Sequence, residues 1–73
     1  MKKPIRKIAS NEIRLPDGKT LPLMVVEIRS GLVERYYSLR QELPFTEWMS
    51  GTIELRLNPD GALQAYREGV LLQ

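Results

Sequence analysis

The residues of this chain best suited to contacting another molecule lie in one stretch. Arg35-Tyr36-Tyr37-Ser38-Leu39-Arg40 sets two phenols between two guanidiniums, and Phe45, Trp48 and Met49 follow closely, in a chain with one Phe and one Trp. Such groups stack on planar partners, insert into apolar pockets and pair in two-pronged fashion with carboxylates or phosphates. That is the chemistry of recognition. The candidate partner-binding residues are therefore Arg35, Tyr36, Tyr37, Arg40, Phe45 and Trp48.

Bond-making chemistry finds little support. The 73 residues include no Cys and no His, which removes disulfides, thiolate and imidazole catalysis and zinc sites built from those ligands. Carboxylates and lysines remain as bases. The two aspartates, Asp17 and Asp60, both sit in Pro-Asp-Gly strings that turn chemistry already explains. Most of the seven glutamates stand beside arginines, as on a solvated, ion-paired strand face. The five glycines are scattered singly, so no phosphate-binding loop can be drawn. The sequence predicts no enzyme, no cofactor, no metal and no small-molecule substrate.

Eleven Lys and Arg against nine Asp and Glu give a formal charge of +2. Lys2, Lys3, Arg6 and Lys7 supply four of those cations, leaving seven cations against nine anions in the remaining body. A nucleic-acid domain normally carries a basic excess in its body. Here the excess belongs to a basic segment over about residues 1–7, expected to be a flexible, solvated tail on a single small domain spanning 1–73. No apolar stretch follows the lysines as a secretory leader requires, and no apolar run approaches membrane-spanning length, so a cytoplasmic chain with no membrane partner is expected.

The elements that must position the aromatic stretch follow from turn signals and period. Leu15-Pro16-Asp17-Gly18 and Asn58-Pro59-Asp60-Gly61 read as type I turns closed by a glycine bulge; Ser30-Gly31 and Glu68-Gly69 read as tighter turns. Between them, strands are predicted at 6–15, 20–29, 32–40, 51–58, 62–67 and 70–72. Ile53, Leu55 and Leu57 alternate with Thr52, Glu54 and Arg56, the signature of a strand buried on one face, and Ile13 and Leu15 alternate with Glu12 and Arg14 likewise. Leu23-Met24-Val25-Val26 is apolar on both faces and predicts a covered central strand, with Pro22 at its entry or at a bulge. Segment 32–43 also fits a helical stripe through Leu32, Tyr36, Leu39 and Leu43; its aromatic and β-branched residues favour strand. The string Glu-Ile-Arg-Leu-Pro-Asp-Gly at 12–18 is echoed at 54–61 with one inserted Asn, which two hairpins of the same design would produce without duplication.

The expected fold is all-β: a small antiparallel meander of five or six strands curled into a partly open barrel, with one short helical turn or loop plug near 43–50 that Thr46 caps and Gly51 stops. Ile13, Leu15, Val26, Ile28, Ile53, Leu55 and Leu57 are the expected core. Tyr36 and Tyr37 point to opposite faces of their strand and cannot form one platform. The expected function is a non-enzymatic protein-interaction module, acting on a second copy of itself or on another protein, with the terminal strands, Val70-Leu71-Leu72 among them, as sheet edges open to pairing. The alternative is a weak single-stranded nucleic-acid-binding barrel; the negative body disfavours it.

Overall fold

The computed structural model describes residues 4–41 and 43–73, and among them every regular element is a strand. Six strands follow in order: β1 Arg6–Arg14, β2 Thr20–Arg29, β3 Leu32–Ser38, β4 Thr46–Leu57, β5 Leu63–Arg67 and β6 Val70–Leu71. They form one sheet ordered β3-β2-β1-β4-β5-β6. The all-β class and the partly open barrel hold: the sheet curls until β3 and β5 approach one another, in a body 18 Å thick, room for two sheet layers about 10 Å apart.

The turns form as their residues require. In both Pro-Asp-Gly turns the glycine N–H donates to the carbonyl three residues back, Gly18 to Leu15 and Gly61 to Asn58, each at 2.9 Å. The flanking pairs close in the same way, Leu15 with Lys19 and Asn58 with Ala62, each at 2.8 Å, so the echoed strings share one turn design. Ser30 and Gly31 both take positive φ, 53° and 77°, the mirror-image turn whose twist matches a two-residue hairpin.

Three expectations need correcting. The sheet is not a pure meander: β4 runs parallel to β1, which lies centrally between β2 and β4. The edges are β3 and the two-residue β6, so the N-terminal strand is no edge at all, and Leu72 is buried with its N–H bonded to the Ala65 carbonyl. Second, residues 43–50 form no helical turn and plug nothing, because Thr46 onward belongs to β4, whose pairing with β1 satisfies the backbone that a lone helical turn would leave open. Third, Leu57 is 60% exposed, since it flanks a turn at the barrel rim, whereas Leu15 is half-buried and packs against the edge of the core.

The curl has a local origin. Asn11, Leu23 and Gly51 sit side by side on β1, β2 and β4, and each is irregular. Ladder pairing passes from Ser10↔Met24 to Glu12↔Pro22, skipping Asn11 and Leu23, and Leu23 takes φ 50°. Against β4, Ser10 pairs with Met49 and Glu12 with Thr52, so β4 carries one extra residue, with Gly51 at φ 94°, where a β-carbon would be strained. The Asn11 side-chain carbonyl accepts the Gly51 N–H at 2.7 Å and ties the corner. Pro22, with no N–H to give, falls at this break. Below the corner Ile8, Met24, Val26 and Ile28 face inward; above it Ile13, Leu21, Ile53, Leu55 and Ala65 do, and the two sets pack as one core with Leu72. No helix among the described residues is long and apolar enough to cross a membrane.

Candidate interaction surface

Because β3 is an edge and β4 lies on the far side of β1, the connection, described at 39–41 and 43–45, must cross β2 and β1. It does so on the outer face. Leu39 donates its N–H to the Leu23 carbonyl at 2.9 Å, and Leu39 and Leu43 line a cleft with Ala9, Thr46, Glu47 and Trp48. Beneath this strap Val25 and Ala9 are buried although they point away from the core, which accounts for the two-sided apolar pattern of β2. The cleft left between strap and Trp48 is about 180 Å³.

Register places the predicted binding residues. Tyr37, Val25, Ala9 and Trp48 form one row across β3, β2, β1 and β4, with the outer two about 14 Å apart. The next row is Arg35, Glu27, Lys7 and Thr46. Arg35, Tyr37 and Trp48 therefore share the outer face, and exposed Arg40 and Phe45 sit on the strap beside them. Tyr36 is not part of this surface: it pairs with Val26 on the other face, as period 2 requires. Phe45 is 97% exposed and Trp48 52%.

Arg35 and Tyr37 are engaged by a residue that sequence reading assigned to solvent. Glu27 is buried: its carboxylate accepts from Arg35 Nε at 2.8 Å and Nη2 at 3.3 Å, and from the Tyr37 hydroxyl. The Arg35 guanidinium lies 5.3 Å from the Tyr37 ring centre. Hydrogen bonding from Arg35 holds the Glu27 carboxyl below the usual carboxylate range, with Tyr37, the Arg35 charge and Lys7 adding to the effect against the opposing pull of desolvation. Burial and the neighbouring carboxylate push the Tyr37 phenol up. The usable signal was the covered strand itself, since a residue continuing the outward set of Val25 must share its cover.

Elsewhere Leu23, Leu32, Leu57 and Val70 are exposed, and charged groups of the strands pair with one another. Above the corner Glu54 pairs with Arg14 and Arg56, and Arg56 lies 4.4 Å from the Tyr66 ring centre. This is the ion-paired strand face that the glutamates predicted. A larger hollow of about 390 Å³ opens at the barrel end among Pro4, Arg6, Ile28, Ser30, Gly31 and Gln73. Among its described residues the one cation is occupied: Arg6 holds Glu47 through Nε at 2.6 Å and Nη2 at 2.9 Å, and donates to the Gln73 carbonyl at 2.9 Å. That pairing raises the Arg6 guanidinium and lowers the Glu47 carboxyl. With no aromatic side chain among its described lining residues and its arginine already paired, the larger hollow makes a poorer candidate than the Trp48 cleft. Comparison with known proteins finds no matching family model, no similar curated protein and no similar solved structure.

Proposed function

We propose that this chain is a non-enzymatic, cytoplasmic protein-interaction module that binds through the outer face around Trp48. The observation that carries the reading is the pairing of an almost fully exposed Phe45 with a half-exposed Trp48 at one apolar cleft. Single exposed apolar residues need no explanation, but aromatics gathered around a concavity have the composition of interface anchors. Arg40 and Arg35 stand at the rim, where arginine is favoured.

Oligonucleotide binding would draw on the same face. It is the weaker reading, because Arg35 already lies against the Tyr37 ring and Glu27 holds both, leaving Trp48 as the one uncommitted stacking surface on that row.

The test uses Trp48 both as anchor and as probe, since it is the chain's only tryptophan. A protein partner captured from the native host should shift Trp48 emission to the blue when added to the purified chain. Trp48→Ala should weaken that binding by about 30-fold, the loss of a hot-spot residue, and leave the fold intact. Capture that is indifferent to Trp48→Ala, or a captured species that proves to be nucleic acid, would refute the reading.

A further inference from the structure

We infer that the partner seated on this face is a second copy of the chain, with Phe45 of each copy entering the cleft beside Trp48 of the other; the inference rests on the protein-interaction reading above. Knob and hole are neighbours on one surface. Phe45 lies between Leu43 and Thr46, both of which line the cleft, yet its own ring is 97% exposed and fills no part of it. A protrusion beside a matching hollow is self-complementary under a two-fold axis: each knob meets the other copy's hole, and the assembly closes as a dimer.

The sizes agree. A cavity of about 150 Å³ lined by aliphatic side chains admits benzene, and the cleft offers about 180 Å³ among Ala9, Leu39, Leu43 and Trp48, with Thr46 and Glu47 at its margin. Backbone geometry holds the knob out. Phe45 takes φ 56°, a left-handed conformation that a bulky residue rarely occupies and that glycine or asparagine would adopt more easily. Two rings and a short rim make a small interface, so the association should be weak and concentration-dependent.

Sedimentation equilibrium of the full chain between about 1 µM and 1 mM should show monomer passing to dimer, with Trp48 emission moving to the blue over the same range. Phe45→Gly should abolish the dimer while its melting temperature rises, because glycine relieves the positive φ; Phe45→Ala should abolish it with little change in melting. Loss of the dimer with no loss of stability separates a contact residue from a structural one. A wild-type chain still monomeric at the upper concentration, a Phe45→Gly chain that still dimerises, or open-ended oligomers in place of a dimer would each overturn the inference. If the chain is monomeric but captures another protein in a Trp48-dependent way, self-association falls and the interaction reading stands; if neither occurs, both fall.

Discussion

Leu55→Ala should remove a large share of the domain's stability and of its urea resistance. Leu55 is 1% exposed and belongs to the core cluster that joins the two halves of the curled sheet. Removing a buried leucine side chain costs about 2–5 kcal/mol, through lost transfer energy and the cavity left behind. A 73-residue domain has a total stability of about 4–11 kcal/mol at typical values per residue. No disulfide supplements it. Leu57, two residues along and on the same nominal face, is the internal control: at 60% exposure, Leu57→Ala should cost less than about 1 kcal/mol. Urea unfolding followed by Trp48 emission and circular dichroism reads both. Equal losses at the two positions would mean that Leu57 packs in the core and is not left in solvent at the barrel rim.

The second large effect concerns Glu27. Glu27→Ala removes the acceptor for three hydrogen bonds and should destabilise the domain by about 2 kcal/mol, mainly by stranding the half-buried Tyr37 hydroxyl. The full penalty of breaking a buried ion pair does not apply. Arg35, with its side chain 68% exposed, is free to rehydrate once its partner is gone. A pH signature accompanies the loss. Glu27 titrates lower in the folded chain than its ordinary 4.5, so its contribution is fully present above the unfolded value and disappears as pH falls through the folded one. Wild-type stability should therefore decline below about pH 4.5, with Glu47, lowered by Arg6, adding a smaller share. Glu27→Gln should start less stable at pH 7 and show a flatter acid limb. An acid limb unchanged from wild type would show that the carboxylate is not held as described.

Much of this was legible locally. Pro-Asp-Gly and Ser-Gly strings fix turns because proline locks φ and glycine admits the positive φ a turn needs, whatever surrounds them, and all four predicted turns form where their residues stand. The opposition of Tyr36 and Tyr37 follows from the pleat alone. The outward ladder of Arg14, Glu54 and Arg56 was equally plain, because alternation within one strand needs no knowledge of its neighbours.

What the chain did not reveal locally depends on which strands become neighbours. Period 2 places Ile8 and Ile13 on opposite faces, five residues apart, yet both are in the core, because the irregularity at Asn11 reverses facing within β1. Nothing in Ser10-Asn11-Glu12 announces that reversal; it is set by Leu23 and Gly51 on the adjoining strands. The same holds for Trp48. Its immediate sequence fits a helical turn, and only pairing with Ala9 on β1, 39 residues earlier in the chain, makes it strand and aims it outward. Sequence by itself determined the strand class, the turns, the lack of thiol and imidazole chemistry and the kind of residue available for recognition, since these depend on residue type and short-range sterics. Tertiary structure decided that β4 pairs in parallel with β1, that the strap consequently crosses the outer face, and that Glu27 is sealed while Phe45 is left in solvent. Burial is a property of what lies opposite a side chain, and pairing across the sheet chooses that.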